Sequence, residues 1–144
     1  MSTDIKDDVS SLIKVCGTNN PFEIAHQKNI FILYERLGDI LGYFNTYKRI
    51  SMIHINCDLE DAERRFVCAH ELGHSVLHKD VNTPFLKRNT LVSIDRIERE
   101  ANEFAVELLL PDELMYEYCD TAMTIYEIAA TYGVPRELTH LKRI

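Results

Sequence analysis

An α+β fold is expected from the order in which two kinds of hydrophobic pattern follow one another along the chain. Apolar residues recur at helical spacing near the N-terminus, three short β-prone runs occupy residues 30–56, and the remainder returns to helical spacing punctuated by prolines. Helices, then a small three-stranded sheet, then helices again is the expected layout.

The first element is a helix. Ile5, Val9, Leu12, Ile13 and Cys16 share one face, and Gly17 is a suitable stop. Asn20-Pro21-Phe22-Glu23 opens a second helix, with a capping Asn, Pro at the first helical position and an acid in the first turn. Ile30 to Tyr34, Leu41 to Phe44 and Ile50 to Ile55 then read as strands, with Asn45-Thr46-Tyr47-Lys48 as the turn between the last two. Asp58 can cap a helix running to about His78, with Glu60 and Asp61 in its first turn. A loop from Lys79 to Thr90 leads to a long helix over Ser93 to Leu110, which Pro111 stops. Pro111-Asp112-Glu113 starts a short helix, Thr124-Ile125-Tyr126-Glu127 is a capping box for another that Gly133 ends, and Pro135 opens the last. No repeat, low-complexity tract or Pro/Gly/Ser-rich linker interrupts residues 1–144, so one domain is expected.

The net charge of −7 argues against broad nucleic-acid binding, which needs a surplus of Lys and Arg. The first ten residues are acidic and polar, unlike a secretory signal. No apolar run approaches the ~18 residues that span a bilayer. Cys16, Cys57, Cys68 and Cys119 form no Cys-x-x-Cys pair and read as small buried hydrophobes of a reduced, cytoplasmic protein. A monomer or weak oligomer acting on another protein, away from membranes and DNA, is the expected setting.

The chemistry concentrates in His70-Glu71-Leu72-Gly73-His74. Residues four apart on a helix share a face, ~6 Å apart along the axis, so both imidazoles can converge on one ion at ~2.0–2.1 Å. Glu71 lies ~100° around from His70, poorly placed to ligate but able to reach a water at the open coordination position as a general base. Glu71 is the single acid in an otherwise uncharged stretch from Phe66 to Leu77, an expensive residue to bury without a role. Gly73 is a poor helix former whose small size lets another segment pack beside the ligands.

A catalytic zinc needs a third protein ligand. His78 is unsuitable, being ~12 Å along the axis from His70, and reads as a polar group favoured near a helix C-terminus. The better source is the segment from Ile97 to Ala105. Its apolar stripe, Ile97, Ala101, Phe104, Ala105 and Leu108, packs inward, and Glu100 shares that side, whereas Glu98 and Glu103 are expected nearer solvent. Glu100 is therefore the expected third ligand, with a solvated acidic face as the alternative. Asn102 either orients a ligand or is an ordinary surface amide.

Arg65-Phe66-Val67-Cys68-Ala69-His70-Glu71-Leu72-Gly73-His74, continuing through Leu77-His78, and Glu98 to Ala105 with Leu108-Leu109-Leu110-Pro111 together resemble the ImmA/IrrE family of metallopeptidases. The resemblance covers roughly residues 20–143. It implies a compact gluzincin-like domain that binds Zn2+ through His70, His74 and Glu100, with Glu71 as the base. It further implies an antirepressor, found in phages and integrative elements, that cleaves a helix-turn-helix repressor to release a mobile element or stress regulon.

Peptide-bond hydrolysis also needs a donor for the oxyanion, for which Tyr116, Tyr118, Tyr132 and His140 are eligible. An exposed sheet edge can bind the substrate as an added strand. The competing readings are a non-catalytic zinc protein that sequesters the repressor, a peptidase with another protein target, and a DNA-binding module at residues 124–144. The last carries Arg136, Lys142 and Arg143 against Glu127 and Glu137, too little positive charge to favour DNA.

Overall fold

The computed structural model describes residues 4–144. Asp4 caps α1 (Ile5–Cys16) by accepting from the Lys6 N–H at 3.0 Å, and Gly17 ends it with φ 72°. Asn20 caps α2 (Pro21–Gln27), its side-chain oxygen accepting from the N–H groups of Phe22 and Glu23.

The three β-prone runs form β1 (Ile30–Glu35), β2 (Ile40–Tyr47) and β3 (Ile50–Asn56). The central β3 is parallel to β1 and antiparallel to β2. The hairpin turn sits later than expected, because Asn45 and Thr46 belong to the ladder opposite Met52 and Ser51. The turn is Lys48-Arg49, with φ of 51° and 69°. Positive φ at both positions matches the two-residue turn whose twist suits paired strands. A fourth strand, β4 (Leu86–Lys87), pairs antiparallel with β2, so the described sheet has four strands in the order β1-β3-β2-β4 rather than the three expected. Two residues carry no period-2 signal, which is why this strand is invisible in the expected loop.

Two glycines set the layering. α3 (Asp61–Leu77) lies on the sheet, and a Cβ added to Gly42 in β2 would fall 2.5 Å from Val67 Cγ1. On the other side of α3 lies α4 (Arg96–Leu109), where a Cβ added to Gly73 would meet three Phe104 atoms at 3.0–3.1 Å. Sheet, α3 and α4 are thus stacked as closely as backbone allows. Ile53, Ile55, Phe66, Leu72, Phe104 and Leu108 fill the space between them.

The helix starts differ slightly from expectation. α3 opens from Glu60, since Asp58 donates its N–H to Asn56 Oδ1 in the preceding turn. α4 opens from Asp95, whose carboxylate accepts from the Ile97 N–H at 2.9 Å. The Thr124 capping box forms as read, with Glu127 N–H donating to Thr124 Oγ1 at 3.2 Å and Thr124 N–H to Glu127 Oε1 at 2.9 Å. α5 (Asp112–Glu117), α6 (Ile125–Thr131) and a 3-10 turn at Arg136–Leu141 complete the chain. Lys142, with a fully buried side chain, then donates to Glu107 Oε1 and Asp112 Oδ1, both at 2.8 Å. This ion cluster fastens the C-terminal segment to α4. All four cysteines are free, but only Cys68 is buried and Cys119 is exposed, against the expectation of four buried thiols. No described helix is long and apolar enough to cross a membrane.

Candidate metal centre

Successive turns of α3 present His70 and His74 towards α4, with their rings 4.8 Å apart at 83°. α4 answers with Glu98. Its Oε1 lies 3.1 Å from His70 Nε2 and its Oε2 lies 2.9 Å from His74 Nε2. All three side chains are buried. Among the described residues, His70, His74 and Glu98 form a group of donors close enough to share one ion. Three ligands at ~2.0–2.1 Å from a tetrahedral centre stand about 3.3 Å from one another, so small outward shifts would admit it.

The carboxylate expected in this position was Glu100, and the geometry corrects that. Glu100 Oε1 is bonded to His78 Nε2 at 2.8 Å, and Arg96 Nη1 lies 3.4 Å from its Oε2. At ~100° per residue, Glu100 projects ~160° away from Glu98, so the two cannot face the same histidines. Glu98, expected near solvent, is only 6% exposed. Val106 and Leu109 are buried on its side of α4 and extend the apolar arc beyond the stripe drawn from Ile97 to Leu108. That pair was the available signal.

Asn102 settles the proton position on His70. Its Nδ2 donates to the Leu91 carbonyl at 2.8 Å, which leaves Oδ1 facing His70 Nδ1, also at 2.8 Å. A carbonyl only accepts and Oδ1 only accepts, so His70 carries its proton on Nδ1 and directs the Nε2 lone pair at Glu98. Asn102 is buried and bonded to His70, so it is not the ordinary surface amide that was the other expectation. His78 is not one of these three donors, and its Nδ1 is 3.0 Å from His74 Nδ1.

Glu71 is wholly buried beside these donors. Burial raises its carboxyl to about 8; nearby His74 pulls it down and Glu98 pushes it up. Five buried side-chain polar atoms among the described residues lack a hydrogen-bond partner, and four of them are here: both Glu71 oxygens, His74 Nε2 and Glu98 Oε2. Buried polar groups are normally satisfied, so electron-rich atoms converging without a donor between them fit a bound cation. Two imidazoles and a carboxylate are a donor set suited to zinc.

Glu98 also lines a cleft of about 410 Å³ with Pro84, Phe85, Lys87, Thr90, Ser93 and Asp95, giving the centre a face towards solvent. The oxyanion donors nominated from sequence do not line it. Tyr118 and Tyr132 hydroxyls are hydrogen-bonded to each other at 2.8 Å, and Tyr116 is exposed on α5.

Comparison with known proteins agrees with this chemistry. Residues 25–142 match the family model of the peptidase M78 group, the IrrE N-terminal-like domain. An uncharacterized immunity region protein 2 of Bacillus phage phi105 is 50% identical over 139 residues, covering 96% of this chain and 88% of the phage protein. Metallopeptidase ImmA of Bacillus subtilis strain 168 is 39% identical over 145 residues, covering 98% of this chain and 85% of that protein.

Proposed function

The chain belongs to the metallopeptidase family of the IrrE N-terminal-like domain, and from that premise we propose that it is a zinc endopeptidase whose substrate is a helix-turn-helix repressor. The observation that carries the catalytic part is Glu71, a buried carboxylate without a partner beside the three-donor set. A protein that only sequestered its partner would need the ligands but not this acid.

His70, His74 and Glu98 would hold the ion. When bound, zinc supplies Lewis acidity to a water and to the scissile carbonyl. Glu71 accepts the proton of the attacking water and returns it to the departing amine, the role suited to a carboxylate whose burial raises its proton affinity. Asn102 keeps His70 in the ligating tautomer. β4 has a partner on one side only and adjoins the cleft at Glu98. Its free edge is the place for the substrate to add as a strand, with Phe85 and Lys87 beside it. The repressor as substrate is supported by the phage immunity-region relative and by the ImmA relative.

Incubating the protein with the repressor encoded beside its gene, with and without a chelator, tests the proposal. One cut that chelation and Glu71→Gln both abolish is expected. Binding without a cut would instead indicate sequestration, and cleavage at the normal rate by a metal-loaded Glu71→Gln protein would remove Glu71 from the mechanism.

A further inference from the structure

We infer that His78 and Glu100 form a positioning pair that fixes the tautomer and ring orientation of His74, as Asn102 does for His70. The inference rests on the reading of His70, His74 and Glu98 as the metal ligands.

Glu100 Oε1 sits 2.8 Å from His78 Nε2, and an ionised carboxylate can only accept, so His78 donates from Nε2. With His74 ligating through Nε2, the His78 lone pair falls on Nδ1. That atom lies 3.0 Å from His74 Nδ1, and of two like nitrogens at this distance one must donate. His78 Nδ1 being the acceptor, His74 carries its proton on Nδ1 and its lone pair on Nε2. Nε2 is the buried atom left without a hydrogen-bond partner and 2.9 Å from Glu98 Oε2. Both ligands therefore reach the centre in the same tautomer, held by unrelated devices from one helix.

The chain of contacts runs from a fully buried ligand to the surface. His78 is 7% exposed, the Glu100 side chain 30%, and Arg96, which approaches the second Glu100 oxygen, 74%. The outermost pair, Arg96 with Glu100, is accessible enough to contribute little to stability. The chain of contacts explains why a histidine eight residues beyond His70 can serve the centre without ligating. His78 caps the C-terminal end of α3 with non-helical φ and ψ, which turns its ring to face Glu100 rather than the ion.

The test uses metal-free full-length protein titrated with Co2+ against a chromophoric chelator, reading affinity and the visible Co2+ spectrum. His78→Leu keeps bulk but removes the acceptor; His78→Asn restores an acceptor where Nδ1 stood. Outer partners of ligating histidines typically carry about 10–100-fold in affinity. We expect a loss of that order and a shifted spectrum in His78→Leu, with most of the affinity recovered in His78→Asn. Glu100→Ala, a change at a partly exposed position, should weaken binding in the same direction and decides the matter should His78→Leu fail to fold. Wild-type affinity and spectrum in His78→Leu, or in Glu100→Ala, would overturn the inference while leaving the ligand set intact. So would equal losses in His78→Leu and His78→Asn. No Co2+ binding by the wild-type protein would overturn the ligand set itself and the inference with it.

Discussion

Replacing Gly73 with Ala adds one methyl group at a close approach of α3 and α4, next to His74. The new Cβ would stand 3.0 Å from Phe104 Cδ1 and 3.1 Å from Phe104 Cβ and Cγ. Contacts this short are tighter than carbon atoms normally accept, so the two helices must separate by a few tenths of an ångström. Rotating the Phe104 ring cannot relieve the contact, because Cβ is among the clashing atoms and moves with the backbone. Two opposing magnitudes decide the stability. Removing a mid-helix glycine favours the helix by ~1 kcal/mol, while overpacking a core costs ~1–3 kcal/mol. The metal-free variant should lie between neutral and ~2 kcal/mol less stable. In a chain of this length that corresponds to a fall of up to roughly 8 °C in Tm. Metal affinity should suffer more consistently than stability, because the displaced helix carries Glu98 and widens its 2.9 and 3.1 Å approaches to the histidines. Calorimetry of the metal-free protein and a Co2+ titration separate the two effects. A Gly73→Ala protein that gains the full propensity increment and binds metal as tightly as wild type would refute the close-packing argument.

Glu71 makes the metal-free protein sensitive to pH in a defined direction. Its carboxyl is raised from 4.5 to about 8 in the folded state, so above pH 4.5 the native chain keeps a proton that the unfolded chain releases. Stability of the metal-free protein should therefore fall as pH rises from about 5 to 8, and urea midpoints across that range should flatten in Glu71→Gln. Lys142→Met should be among the most destabilising changes away from the centre. It leaves Glu107, itself 2% exposed, without the ammonium 2.8 Å away. Breaking a buried pair in this way costs ~3–5 kcal/mol; a loss under ~1 kcal/mol by chemical denaturation would show that water reaches the cluster.

The parts of the fold legible in sequence are those written in local chemistry. Asn20-Pro21, the Thr124 box and Gly17 act within one turn of the chain, and each forms where it was read. The hairpin turn and β4 escaped because their cause is not local. Lys48 and Arg49 adopt positive φ without glycine or asparagine to announce it, and β4 is defined by β2 rather than by its own two residues.

The site divides along the same line. His70, Glu71 and His74 are related by helix geometry alone, so spacing suffices to bring them together. The third donor depends on how α4 is rotated against α3, and a stripe of Ile97, Ala101, Phe104, Ala105 and Leu108 leaves Glu98 and Glu100 on its two flanks, almost equally far from its centre. What breaks the tie is the full buried arc. Relative to Glu98, Ala105 and Leu109 lie within ~20° and Asn102 within ~40°, and all three are buried. An acid inside an arc that also holds an amide four residues on is the one whose burial needs partners, and the partners here are the two imidazoles. Glu100 lies outside that arc, which is why it finds His78. The two glutamates thus differ by rotation about one helix axis: Glu98 faces His70 Nε2 and His74 Nε2, while Glu100 reaches only His78, on the far side of His74.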